Sequence, residues 1–360
     1  MVIRMSLFRY SGLSAKIHAM EAHMLKVSDY KAMCSISTVK ELALYLESCP
    51  GYSKQISLLT EENLNRVQIE KQLMISMYDD FVKIYRFTSS NDKSFLSMYM
   101  ILFEVNIIKM LLRMQISQKP LSYELSDFKD FFEKHSKIDI NKLLKVSNIN
   151  EFVESFKETE YYNILSMLVN TKNINLFDVE MRLDMYCYLQ IWKLKDKFLS
   201  GVGKSSIESI IGTEADLLNI MWIYRAKNNY KIDNEIIYAY LLPLHYKLKN
   251  SQVKSLIEAK NNEEFQRLVR ETAYSKATEE FYDKGEKDVE RLLFRTLSKL
   301  QAKAVRNYPM SLAPVKYYMY RKNTEISNIT KIVEGIRYNL SPEEIMSYLN
   351  ISERKGGNMA

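Results

Sequence analysis

From Val289 to Arg306 the chain reads VERLLFRTLSKLQAKAVR, and the spacing within this stretch decides the fold. Val289, Leu292, Leu293, Thr296, Leu297, Leu300 and Ala304 recur at offsets of three and four, the repeat of one helix face. Glu286, Asp288 and Glu290 open the segment, and Lys299, Lys303 and Arg306 close it. Acid first and base last complements the helix dipole. Pro309 and Pro314 then stop the helix. Outward from here the same period returns. Ile17, Met20, Met24 and Val27 form one stripe. Met74, Met77, Tyr78, Phe81, Val82 and Tyr85 form a second, and Leu217, Ile220, Met221 and Tyr224 a third. No alternating run is long enough to predict a sheet, so the expected class is all-α.

Composition agrees. The 360 residues include 9 Gly and 6 Pro, and average usage would supply roughly three times as many. Folds that need many tight turns are therefore disfavoured. An apolar share of 47% and a charged share of 26% exclude wholesale disorder. The net charge of +7 is mild and spread along the chain, as solvated helix faces require, so no nucleic-acid partner is expected. Cys34, Cys49 and Cys187 are odd in number and far apart, which gives neither a disulfide framework nor a zinc motif. Met1 to Tyr10 is too short and mixed for a secretory signal. The most apolar run, Phe95 to Met114, is interrupted by Glu104, Asn106 and Lys109. A charge at a bilayer centre costs about 2.5–3.5 kcal/mol, so this run reads as a helix buried in protein.

The chain also repeats itself. Thr38-x-x-Glu41-Leu42-x-x-x-Leu46 returns as Asn148-x-x-Glu151-Phe152-x-x-x-Phe156 and as Asn261-x-x-Glu264-Phe265-x-x-x-Val269. A fourth copy is Ser341-x-x-Glu344-Ile345-x-x-x-Leu349, with Pro342 at the first helical position. Physically this is a capped helix start: the first side chain accepts from a free backbone N–H and the Glu reaches back to the cap. In the first three copies Cys49, Thr159 or Thr272 follows, and then Tyr52, Tyr161 with Tyr162, or Tyr274. Glu104 to Arg113 and Asp216 to Arg225 share one interval and lie 112 residues apart. Three related helical-bundle units of about 110 residues are expected. Residues 1–70 with 290–360 would form the first, 71–185 the second and 186–289 the third.

Candidate chemical sites each have a plainer reading. Gly201-Val202-Gly203-Lys204-Ser205 lacks the first glycine of a phosphate loop, Phe198 standing there, and reads as a helix break. Asp79-Asp80 lacks a third carboxylate one turn on, Lys83 standing there, and reads as a surface acid pair. His18 and His23 do not share a helix face, and His135 and His245 stand alone, so no metal is expected. Tyr317-Tyr318-Met319-Tyr320-Arg321-Lys322 could stack on single strands, but helix packing is favoured. Nothing here runs a reaction, and neither catalytic residue nor cofactor is expected.

The C-terminal segment carries a resemblance. Pro314-Val315-Lys316-Tyr317-Tyr318, Glu325-Ile326-Ser327-Asn328-Ile329, Gly335 and Leu340-Ser341-Pro342-Glu343-Glu344-Ile345 resemble the closing signature of the C-subunit (d-subunit) family of V-type (V/A-type) ATPases. Glu104-Val105-Asn106-Ile107 and Asp216-Leu217-Leu218-Asn219-Ile220 are similar to its repeated acid–Asn–Leu helices. Thr330 stands where that family has Arg, with Lys331 beside it, and Arg337 where it has Lys.

The resemblance implies a non-catalytic central-stalk adaptor of a rotary ATPase, a funnel of three helical domains. Its partners would be the membrane proteolipid ring and the central shaft of the soluble head, with membrane association indirect, through the ring. It would sit on the cytoplasmic face of a bacterial or archaeal plasma membrane and couple ATP hydrolysis or synthesis to proton or sodium transport. The resemblance carries over Glu325 and Asn328, as structural anchors. Arg113 and Arg225, at equivalent helices, are candidates for a polar contact. Two other readings stay open. One is a helical scaffold or nucleic-acid-binding module, which salt-dependent RNA or DNA binding would favour. The other is a diphosphate enzyme using Asp79 and Asp80, which magnesium-dependent diphosphate release would favour.

Overall fold

The computed structural model describes residues 2–117, 129–143, 145–170, 176–275 and 289–351. All regular structure among them is helical. The chain runs through α1 (Val2–Glu21), α2 (Val27–Cys34), α3 (Val39–Ser48), α4 (Ser53–Ile56) and α5 (Arg66–Arg86). Next come α6 (Ser90–Leu96), α7 (Met98–Ser117), α8 (Lys129–His135), α9 (Ile140–Leu143) and α10 (Ile149–Ser155). Then follow α11 (Tyr162–Leu165), α12 (Met167–Asn170), α13 (Leu176–Phe198) and α14 (Gly201–Arg225). A π-helical turn (Ala226–Tyr230), α15 (Asn234–Tyr240), α16 (Asn250–Glu258) and α17 (Asn262–Arg270) come after it. The chain closes with α18 (Val289–Asn307), α19 (Ala313–Arg337) and α20 (Pro342–Tyr348). Two compact units result: residues 1–89 with 294–360, and residues 90–293.

In the first unit α5 lies along α19, and α1 packs on both. Ile69, Leu73, Met77, Phe81 and Ile84 bury one stripe of α5; Val315, Met319, Ile329, Ile332 and Val333 bury the facing side of α19. Each such side chain contributes about 1.5–3 kcal/mol on leaving water. α2 packs on α20, and α3 on α4 and α19. Gly335 lets α20 cross α19 closely: a Cβ there would stand 2.5 Å from Ile345 Cγ1.

In the second unit α13 packs on α7, α6 and α14, α10 on α7, and α16 on α14 and α17. Within Ser90–Ile116 an 18-residue window has a mean hydropathy of 1.7, apolar enough to cross a membrane, yet 67% of that window is buried inside the protein. A core helix has that profile. Glycine serves close approach again at Gly212, where a Cβ would lie 2.5 Å from Tyr246 Cβ.

Four expected helix starts are capped as read. Thr38 Oγ1, Asn148 Oδ1, Asn261 Oδ1 and Ser341 Oγ accept from the N–H of Glu41, Glu151, Glu264 and Glu344 at 3.2, 3.0, 2.8 and 3.3 Å. The returning Glu differs from expectation. Glu344 accepts from its cap, Ser341 N–H, at 2.8 Å, but Glu151 and Glu264 accept one residue earlier, from Ser147 and Lys260 at 2.9 and 2.8 Å. The stripe Ile17–Met20–Met24–Val27 is likewise not one helix, because α1 ends at Glu21 and α2 begins at Val27. Pro309 follows the end of α18, whereas Pro314 sits in the first turn of α19, where its missing N–H costs nothing. Glu286 and Asp288, expected to open α18, lie outside the described residues. The Gly201 stretch opens α14 at φ +52°, a helix break as expected.

Candidate functional site

Three long helices each carry one acid into the core. Glu104 on α7 is 8% exposed, Asp216 on α14 0% and Glu325 on α19 2%. A buried carboxylate survives only if its oxygens receive hydrogen bonds. Each receives one from the tyrosine that follows a capped short helix. Tyr161 O–H donates to Glu104, Tyr274 O–H to Asp216 at 2.7 Å and Tyr52 O–H to Glu325 at 2.6 Å. Burial, and then the adjacent carboxylate, pushes all three phenols above the ordinary tyrosine range.

The second donor differs at each place. The Ser136 hydroxyl completes Glu104. The N–H groups of Tyr246, Lys247 and Leu248 complete Asp216 at 3.1, 2.7 and 2.9 Å. Leu25 N–H completes Glu325 at 2.7 Å, and so holds the turn between α1 and α2. The tyrosines are themselves placed locally: Tyr161 N–H and Tyr274 N–H donate to Thr159 and Thr272 hydroxyls at 3.3 and 3.1 Å.

One helical turn beyond two of the acids, an asparagine clamps an extended stretch of backbone. Asn219 donates to Leu242 O at 2.9 Å and accepts from Leu242 N–H at 2.8 Å. Asn328 treats Asn350 the same way, at 3.0 and 2.8 Å. Glu325 and Asn328 thus lie one turn apart and both face inward. In α7 the acid–Asn spacing is shorter by one, so Asn106 is exposed and Ile107 takes the inward place.

Around Glu325 the polar cluster is larger than the sequence suggests. Lys322, 2% exposed, stands 3.8 Å from both Asp80 and Glu325 and lies 3.8 Å from the centre of the Tyr52 ring. Asp80 accepts from Tyr318 O–H at 2.7 Å and Lys83 at 2.9 Å. Asp80 is therefore not the surface acid expected; it is 8% exposed and neutralised by bases from two helices. Asp79 does face outward and pairs with Lys54 at 3.1 Å. Burial holds Glu325 above the usual glutamate range, opposed by Lys322 and by its two hydrogen-bond donors. Burial lowers Lys322. Tyr318, Met319 and Lys322, part of the aromatic–basic segment, are core residues of α19 rather than an exposed stacking platform.

Arg113 lies on the surface in a forked pair with Glu180, at 2.6 and 2.8 Å. Arg225 is half-buried at the end of α14, where the π-helical turn begins. No group of three or more His, Cys, Asp and Glu able to hold a metal occurs among the described residues. The three cysteines are buried, and burial raises the Cys34 thiol to about 11, away from nucleophilic use. The arrangement does one thing well: it ties long helices to distant side chains and backbone through buried carboxylates.

Comparison with known proteins gives the same architecture a relationship. The family model of the ATP synthase (C/AC39) subunit matches residues 13–348. The C subunit of the A-type ATP synthase of Methanocaldococcus jannaschii is 24% identical, over 94% of this chain and 86% of the relative. That of Pyrococcus furiosus is 24% identical over 93% and 89%, and that of Archaeoglobus fulgidus 23% over 93% and 94%.

Proposed function

Because the chain belongs to the ATP synthase (C/AC39) subunit family, whose members are structural rather than catalytic parts, we propose that it is the central-stalk adaptor of a rotary V/A-type ATPase. In this role it joins the proteolipid ring of the membrane sector to the central shaft of the soluble head. It lies on the cytoplasmic face of the membrane and reaches it through the ring. Coupling of ATP turnover to proton or sodium movement then passes through its helices as torque.

The observation that carries the reading is the set of buried carboxylates. A coupling part must not yield internally, and close-packed interiors compress little. The 25-residue helices α14 and α19 are each about 37 Å long. Each is pinned in its interior by an acid and an asparagine, so it cannot slide past its neighbours without stripping buried polar groups of their partners. We also read the chain as three related bundles, residues 1–70 with 290–360, 71–185 and 186–289. The Tyr52–Glu325, Tyr161–Glu104 and Tyr274–Asp216 pairs support this, one in each. Glu325 and Asn328 serve as anchors; Arg113 and Arg225 are the proposed polar contacts with a partner.

Reconstitution tests the role. Vesicles bearing ring, head and shaft should pump ions on ATP addition only when this chain is supplied, while the free head hydrolyses ATP regardless. Pumping that proceeds without it would end the proposal. Arg113→Glu and Arg225→Glu should weaken retention of the head on the ring; unchanged pumping in both would remove those residues from the interface.

A further inference from the structure

Gln301 on α18 is 2% exposed, and neither its amide oxygen nor its amide nitrogen meets a protein partner. The internal repeat shows what its sibling position holds. Asp178-Val179-Glu180 on α13 returns 110 residues later as Asp288-Val289-Glu290, and the same step carries Ile191 onto Gln301. Ile191 is 4% exposed and brings no polar atom into the interior. Gln301 brings two. Taking both ends of an amide out of water without replacing their hydrogen bonds is costly, and that cost is stored in the closed packing of α18.

The seat of α18 is also the looser one. Its sibling α13 is embedded among α6, α7 and α14, whereas α18 packs broadly on no other helix among the described residues. Leu297 and Ala304 are buried. The Phe294 ring stacks on Tyr320 with centroids 5.8 Å apart, and the Tyr320 hydroxyl donates to Phe294 O at 3.4 Å. Phe294 and Leu300 stay half-buried. Phe294 and Ser298 form one wall of a cleft of about 600 Å³ in the first unit; the turn between α1 and α2 and the Tyr317–Glu325 stretch of α19 supply others. Gln301 follows Ser298 by three residues, on the same side of the helix. An element held by few buried apolar contacts opens locally, below the free energy of global unfolding.

We propose that α18 is a strap that lifts from the first unit while the rest of that unit stays folded. In the lifted state the Gln301 amide regains water at both ends, which offsets the contacts that Leu297 and Ala304 give up. Lifting removes one wall of the cleft and opens Tyr317 and Arg321 to solvent along its length. No bond is made or broken; two packings of one chain exchange. The strap does not depend on the adaptor role and is tested without it.

Hydrogen exchange of the full chain, followed by mass spectrometry at a series of low urea concentrations, is the test. Amides of residues 294–307 should exchange about tenfold or more faster than those in the middle of α5 and α19, and with a weaker dependence on urea. Gln301→Leu keeps the approximate size and removes the unmet amide, so it should slow α18 exchange about tenfold. Lys303→Leu, at an exposed position of the same helix, controls for helix propensity and should leave the rate nearly unchanged. One common rate for α5, α18 and α19 in the wild type overturns the proposal. Unchanged or faster α18 exchange in Gln301→Leu, the result expected where an internal water already serves the amide, overturns it too, as does equal slowing by Lys303→Leu.

Discussion

Tyr161 and Tyr274 donate to equivalent acids but leave different remnants when the hydroxyl is removed. In Tyr161→Phe, Glu104 keeps only the Ser136 hydroxyl as a hydrogen-bond donor among its described contacts. In Tyr274→Phe, Asp216 still holds three backbone N–H groups. A hydrogen bond to a buried charge is worth about 1.5–3 kcal/mol, so Tyr161→Phe should lie at the upper end and Tyr274→Phe at the lower, measured by urea unfolding. Glu325 gives a pH signature. Its folded pKa is raised, so the folded state binds its proton more tightly than the unfolded chain. The stabilisation that this proton supplies is complete below the unfolded value near 4.5 and disappears as pH rises through the raised one. Unfolding free energies of wild type minus Glu325→Gln should therefore fall with rising pH across that window, and a flat difference would contradict the burial argument. Glu104 was visible in the sequence because it interrupts an apolar run, Asp216 as its echo 112 residues on and Glu325 through the family resemblance, and Tyr52, Tyr161 and Tyr274 were visible as an echo after each cap. Their pairing was not. Nor was the role of Asp80, because Tyr318 meets it across 238 residues and no local period reports such a contact.

Capped starts and glycine crossings set the behaviour of the elements. Asn148→Ala and Asn261→Ala each remove a side-chain acceptor from a helix N-terminus and should cost about 1 kcal/mol in thermal or urea unfolding. Gly335→Ala sets two effects against each other. Alanine gains about 0.8–1 kcal/mol in helix propensity, but its Cβ would overlap Ile345, which is 1% exposed and cannot retreat. Overpacking of this kind costs about 1–3 kcal/mol, so net destabilisation is expected, and Ile345→Val in the same chain should recover part of it. The helices themselves were legible from period, as at Leu217 to Tyr224 in α14, or from a cap, as at Asn261 to Val269 around α17. The break after Glu21 was not. Neither Gly nor Pro marks it, and the turn is held by Leu25 donating to a carboxylate 300 residues away.

At the scale of the molecule, the first unit is made from both ends of the chain. Glu325→Ala would leave Lys322 buried with Asp80 alone, and breaking such a cluster costs about 3–5 kcal/mol. Hydrogen exchange should then quicken together in the N-terminal helices α2 to α4 and in α19 and α20; acceleration confined to one end would show that the two segments do not share one core. The all-α class was legible from scarcity of glycine and proline. How the middle of the chain assembles was not, because helices α8 to α12 are short and offer little period to read.

The Tyr52–Glu325 contact also sets a timetable. Its partners are separated by 273 residues, so at 5–20 residues per second a ribosome needs roughly 15 to 55 seconds to deliver the second after the first. Throughout that wait the newborn N-terminal helices have no lasting cover for Leu42, Leu46 and Ile69. A cell that makes this protein must shelter them until translation is nearly finished, and a transcript that stalls before α19 yields a product fit only for degradation.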